Sequence, residues 1–341
     1  MRHATSKNSN SRRGPQAPPK APVYAALDLG THNCRLLVAK RNGAGFRVVD
    51  SFSRIVRLGE GLSASGNLTC NAIDRTIGAL KVCAEKINAN GVIETRSVAT
   101  EACRQAGNGD EFLQMVKAQT GLTLETISPD EEARLTLEGC YSLLDPKIPY
   151  AVIFDIGGGS TELMWVKQEP HNSTRGGTTM IDAISVPSGV VSLAEQFGSG
   201  VIGQSAFAEI GSYFADALNA FDERHEISRE IKNGNVQMMG TSGTVTTLGA
   251  VYLDLPRYDR SKVDGLNLGC ENIANISTRL ADMGCADRAK HPCIGRERAD
   301  LVVMGCAVLS AICKRWPVEN IRVADRGIRE GLLNHMINQN T

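Results

Sequence analysis

Two aspartates, Asp28 and Asp155, each close an apolar segment and are followed by a turn of glycine and hydroxyl residues. The first copy reads VYAALDLGTHN and the second AVIFDIGGGSTELMWV, so Gly30 and Thr31 answer to Gly157, Gly158, Gly159, Ser160 and Thr161. A third such turn, Gly240-Thr241-Ser242-Gly243-Thr244, follows the apolar NVQMM. With no Cβ to block approach, these turns can aim several backbone N–H groups at phosphate oxygens, and a Ser or Thr hydroxyl adds a donor. A helix beginning at Thr244 would add its positive end. One such turn could be a plain tight turn; three point to a phosphate chain.

Carboxylates beside an anion need a counter-charge. Asp28, Asp155 and Glu162, which lies past the second turn, can all point toward the phosphate site. Mg²⁺ meets the need, since this hard cation prefers carboxylate and water oxygens and bridges to phosphate. Each aspartate could instead bond its own turn amides, a reading that the repetition weighs against.

Ser128-Pro129-Asp130-Glu131-Glu132 is written as a helix start, with Ser128 as N-cap, Pro129 in the first turn and Glu131 at the third position, a capping box. Glu132 then faces about 100° further round the helix. It is free to orient or deprotonate a water, although spacing alone favours an ordinary solvated glutamate. Arg54, Arg57 and Arg104 offer guanidinium forks suited to phosphate, or to surface ion pairs. The histidines show no metal spacing, and only His32 sits in a candidate turn.

Two domains must position these groups. The 341 residues suit two cores, and apolar runs fall short of the ~18 residues that span a bilayer, so a soluble protein is expected. The formal net charge is zero. Residues 1–22 hold Arg2, Lys7, Arg12, Arg13 and Lys20 with no acid, which leaves the body acidic and argues against broad capture of nucleic acid. The tail reads as disordered, with an organelle transit peptide as the alternative. Ten scattered cysteines without C-x-x-C spacing read as reduced core thiols of a cytoplasmic protein. Helical stripes are expected over 74–89, 110–120, 190–197 and 205–221, in ADLVVMGCAVLSAICKRW, and at the C-terminal end. They alternate with strands, which indicates an α/β class.

The segments ALDLGTHNCRLLV, ATEACRQAGNGDEFL, ISPDEEARLTLEG, FDIGGGSTEL, MGTSGT and RVADRGIREGLL resemble, in that order, the motifs of the exopolyphosphatase/guanosine pentaphosphate phosphatase family. The resemblance implies the actin-like ATPase (ribonuclease H-like) superfold, with two related α/β domains, 23–136 and 137–341, flanking a cleft, and a terminal helix able to pack back on the first. It implies Mg²⁺-dependent release of terminal orthophosphate from inorganic polyphosphate or guanosine pentaphosphate by direct water attack. Glu132 would activate the water. Asp155 and Glu162 would hold Mg²⁺ or position water, with Asp28 beside them. Arg104 would grip phosphate, and Asp28, Thr31, Asn33, Gly157, Gly158, Gly159, Ser160 and Ser242 would line its site. Larger members continue into helical domains that lengthen a polyphosphate channel, a role that a homodimer would have to take here. His32 and Cys34 depart from the commoner Ser-Asn-Ser style of the first turn. An ATP-dependent kinase and an actin-like nucleotide switch are the rival readings of the same superfold.

Overall fold

The structure, a computed structural model, describes residues 21–43, 45–169, 177–198 and 200–339. The tail expected over 1–22 thus lies, up to residue 20, outside the described residues.

Short apolar runs, buried on both faces in the central strands, build two sheets. The first holds β1 (Val23–Leu29), β2 (Asn33–Asn42), β3 (Gly45–Ile55), β4 (Glu94–Ala99) and β5 (Glu125–Thr126) in the order β3-β2-β1-β4-β5. The second holds β6 (Tyr150–Ile156), β7 (Thr161–Gln168), β8 (Thr178–Val186), β9 (Val236–Thr241), β10 (Asn267–Gly269) and β11 (Asn320–Val323) in the order β10-β11-β9-β6-β7-β8. In each, three antiparallel strands form a meander whose first strand pairs in parallel with the fourth. A further parallel strand follows, β5 in one sheet and β11 in the other. The antiparallel β10 only extends the second sheet. The chain is therefore two α/β domains of one topology, the actin-like ATPase superfold, and the repeat seen in sequence is a repeat of whole sheets.

Register carries the repeat into the site. Asp28 of β1 stands opposite Arg35 of β2, and Asp155 of β6 stands opposite Glu162 of β7. Directly opposed residues share a face and lie about 4.5–5.5 Å apart at Cβ. One ladder position thus carries a cation in the first domain and a carboxylate in the second.

Helices Cys70–Ala89 and Gly109–Thr120 cover one face of the first sheet, with Ile77, Leu80 and Phe112 packed on Leu27 and Leu36. On the other face lie helices Pro129–Cys140 and Ile328–Gln339, where Leu135, Leu332 and Leu333 meet Ala26 and Leu37. The opposite stripe of the 129–140 helix, Ala133 and Leu137, packs on Ile153, Met164 and Val166 of the second sheet. This helix is wedged between the two sheets, and the domain division expected at 136/137 falls inside it. It approaches the terminal helix so closely that a Cβ on Gly331 would strike the Leu135 carbonyl, and one on Gly139 that of Gly327.

Local signals set several helix starts to within a few residues. The helix expected from 74 begins at Cys70, because Thr69 caps it by accepting from the Ala72 amide at 3.3 Å. The helix expected from Thr244 begins at Ser242. Ser128 accepts from the Glu131 amide at 3.2 Å, but the return half of the capping box is not made. The Glu131 carboxylate instead takes Arg96 and Arg134, at 3.0 and 2.8 Å, since two guanidinium partners outweigh one backbone amide. No helix among the described residues is long and apolar enough to cross a membrane. All ten cysteines are free thiols, most of them buried.

Candidate active site

The first two glycine turns close in the same way. Gly30 N–H donates to the Asn33 carbonyl and Gly157 N–H to the Ser160 carbonyl, both at 2.9 Å. The turns also face each other, for a Cβ on Gly158 would come within 3.1 Å of the Cβ atoms of Thr31 and His32. The third turn enters through Ser242, which sits at φ 82° and donates its hydroxyl to the Ile156 carbonyl at 2.8 Å. That bond pins the first turn of helix Ser242–Tyr252, whose leading amides lack intrahelical partners, against the end of β6.

All three turns line one cavity between the domains. Of the residues singled out from sequence, Asp28, Thr31, Asn33, Asp155, Gly157, Gly158, Gly159, Ser160, Glu162, Ser242 and Glu132 lie on its wall. Glu132 is buried rather than solvated, at 8% exposure. Arg104 does not line the cavity. Its fork is taken up by carboxylates: Nη1 donates to Glu132 and to the Ile127 carbonyl, both at 2.8 Å, and Nε and Nη2 donate to Glu101 at 2.9 and 2.6 Å. Arg104 therefore holds Glu132 in place from behind. Arg57 is bound across the cleft to Asp300, at 2.9 Å, and Arg54 lies over the Phe52 ring.

The electrostatics are those of crowded acids. Burial pushes Glu132 well above the ordinary glutamate value; the charges of Glu162 and Asp155 push the same way, and Arg104 opposes them. Burial also raises Glu162 to about 7, helped by Asp155 and opposed by bonds from Ser160 and Ser185. Asp155 is raised to about 6, by burial and by Asp28, against the pull of Arg35. Burial raises Asp28 too, with Arg35 and Arg329 opposing. Four carboxylates that resist ionising together are a concentration of negative charge that a divalent cation would relieve. Among the described residues no three His, Cys, Asp or Glu side chains are arranged to hold a metal by themselves. A hard cation here would complete its shell with phosphate and water oxygens, as Mg²⁺ does.

Sequence reasoning missed several wall residues. Arg35 was readable from the β1–β2 register, as the counterpart of Glu162. Glu101 lies three residues before Arg104, a helical neighbour, and Arg329 lies within the RGIREG segment. Arg298 had no signal, for it sits in an irregular stretch.

Comparison with known proteins fits this geometry. A family model described as the Ppx/GppA phosphatase family matches residues 36–340. The guanosine-5'-triphosphate,3'-diphosphate pyrophosphatase of Aeromonas salmonicida (strain A449) is 27% identical over 320 residues, 94% of this chain and 60% of that relative. The chain thus spans about 60% of the length of this curated relative. Among solved structures, an exopolyphosphatase-like protein is 26% identical with a TM-score of 0.83, covering 93% of this chain and 98% of its own. A Ppx/GppA family member from Aquifex aeolicus is 25% identical with a TM-score of 0.73, covering 94% and 99%.

Proposed function

The chain belongs to the Ppx/GppA phosphatase family, enzymes that hydrolyse phosphoanhydride bonds, and we propose that it releases terminal orthophosphate from inorganic polyphosphate by direct attack of water with Glu132 as general base. The observation that carries this reading is the setting of Glu132: a buried carboxylate on the cavity wall, gripped by Arg104 and facing the acids of the second phosphate turn. Its raised affinity for a proton makes it a stronger base than a solvated glutamate. The amides of the three turns and the start of the 242–252 helix supply donors for phosphate oxygens. Asp155 and Glu162, with Asp28 beside them, would hold Mg²⁺, which when bound supplies the positive charge that offsets the phosphate oxygens. No cysteine lines the cavity among the described residues, and the Ser242 hydroxyl is engaged by the Ile156 carbonyl and by Asp155. Both facts favour water over a covalent nucleophile.

A second reading, guanosine pentaphosphate as substrate, is favoured by the name of the curated relative. The deciding experiment is orthophosphate release from medium-chain polyphosphate and from guanosine pentaphosphate, each with Mg²⁺ or with EDTA. Mg²⁺-dependent release, faster from polyphosphate, is expected. Faster release from the nucleotide would reassign the substrate, and release from neither would overturn the reading.

A further inference from the structure

Each of the two facing glycine turns is braced from outside by a neighbouring segment. Residues 56–59 brace the first: the Val56 and Arg57 amides donate to the His32 carbonyl at 2.9 and 3.0 Å, and the Gly59 amide to that of Thr31 at 3.0 Å. A Cβ on Gly59 would lie 2.3 Å from Cγ2 of Thr31. The start of helix Val190–Phe197 braces the second, since the Val190 and Val191 amides donate to the Gly157 and Gly158 carbonyls at 3.0 and 2.8 Å.

These braces are tied to one another and to the opposite wall. The Gly61 amide donates to Oε1 of Glu195, on the 190–197 helix, at 2.7 Å. The Arg57 fork closes on Asp300, Nη1 to Oδ2 at 2.9 Å and Nη2 to Oδ1 at 3.0 Å, and Nη2 also donates to the Glu297 carbonyl at 3.2 Å. Arg298 and Leu301, in the same segment as Asp300, line the cavity, whereas Arg57, Asp300 and Glu195 do not. Arg57 sits at φ 48°, a left-handed conformation uncommon outside glycine. Arg75 pins that backbone, donating to the Val56 and Arg57 carbonyls at 3.0 and 3.2 Å. A strained residue persists where its surroundings over-determine it, and here they aim its fork across the cleft.

We propose that Arg57 and Glu195 are positioning residues for the hydrolysis: a two-point clasp between the domains, with Asp300 as its main partner, that keeps the first and second glycine turns face to face on one phosphate chain. The clasp touches no phosphate. It favours the arrangement in which both turns reach the same ligand, and a ligand that needs this arrangement binds more weakly as its population falls. This deepens the phosphohydrolase reading above and rests on it for the assay with substrate.

The test is steady-state phosphate release from tripolyphosphate in Mg²⁺ by full-length Asp300→Asn, Arg57→Met, the double variant and Glu195→Ala. A partly exposed bidentate pair shifts a population about three- to tenfold, so Asp300→Asn should raise KM by that factor with kcat within about twofold of wild type. Removing an acid near a polyanion site would by charge alone lower KM, so a rise is the signature of the clasp. The double variant should be no worse than Arg57→Met, because both changes break one contact. Glu195→Ala should raise KM about two- to threefold. Melting temperatures should stay within about 4 °C of wild type. A KM unchanged or lowered, losses that add in the double variant, or a kcat loss accompanied by lower melting would overturn the clasp, the last by making these contacts merely structural. Small-angle X-ray scattering without ligand needs no turnover: Asp300→Asn should be more expanded than wild type. Absence of release by the wild type would therefore overturn the hydrolase reading alone, and an unchanged radius of gyration would overturn the clasp.

Discussion

Replacing Arg104 with methionine would strip two buried carboxylates of their shared partner. Glu101 and Glu132 are each 8% exposed, and the guanidinium bonds both at 2.6–2.9 Å. Removing one member of a buried ion pair costs about 3–5 kcal/mol when the remaining charge stays ionised. Glu132 has an escape, because its proton affinity is already raised and Arg104 is a charge that opposes the rise. Without Arg104 its folded pKa climbs further above the unfolded value, and each unit is worth about 1.4 kcal/mol. A carboxylate with a raised folded pKa gives up stability as pH rises through that pKa. The destabilisation should accordingly be small, roughly 1–2 kcal/mol, near pH 5 and about 3 kcal/mol or more near pH 8. Urea unfolding at the two pH values measures it. In steady-state phosphate release the variant should lose kcat, with the acidic limb of the rate profile displaced to higher pH and KM little changed. Arg104→Lys should restore little, because an ammonium cannot reproduce the fork. A raised KM with unchanged kcat and stability would refute this argument and make Arg104 a direct phosphate ligand.

Two further outcomes concern the helix that carries Glu132 and the terminal helix packed on it. Glu131 is held below the usual carboxylate range, chiefly by its bond to Arg134 and also by Arg96, so its contribution is present above the unfolded pKa and lost as pH falls through the folded one. Glu131→Gln should cost about 1 kcal/mol at neutral pH, with the difference vanishing in acid denaturation curves. Gly331→Ala would push a methyl into the Leu135 carbonyl and part the terminal helix from the one that carries Glu132. Urea unfolding should show a loss of roughly 1–3 kcal/mol, with kcat falling even where the protein remains folded.

The parts of the fold legible in sequence were those with a local cause. Apolar strands closed by Asp28 and Asp155 announced the repeated hairpins, and Ser128 with Pro129 announced the helix that carries Glu132. Side-chain choices between distant partners were not legible. Arg104 is as able to grip phosphate as to grip carboxylate, and the outcome depends on where Glu101 and Glu132 come to rest. Glu131 likewise left its capping role for Arg96, a partner that only the packed sheet brings near. Arg298 sits in a run of turns between the helices Cys285–Arg288 and Val302–Arg315, with no periodicity of its own, so its place on the cavity wall follows from tertiary packing alone.

The central claim is that Glu132 acts on water and not on substrate affinity. The most direct measurement is Mg²⁺-dependent phosphate release by Glu132→Gln, paired with calorimetric binding of the same polyphosphate. The account predicts a kcat lower by about 10²–10⁴ with binding within about threefold of wild type. Undiminished release, or a loss traced wholly to weaker binding, would contradict it.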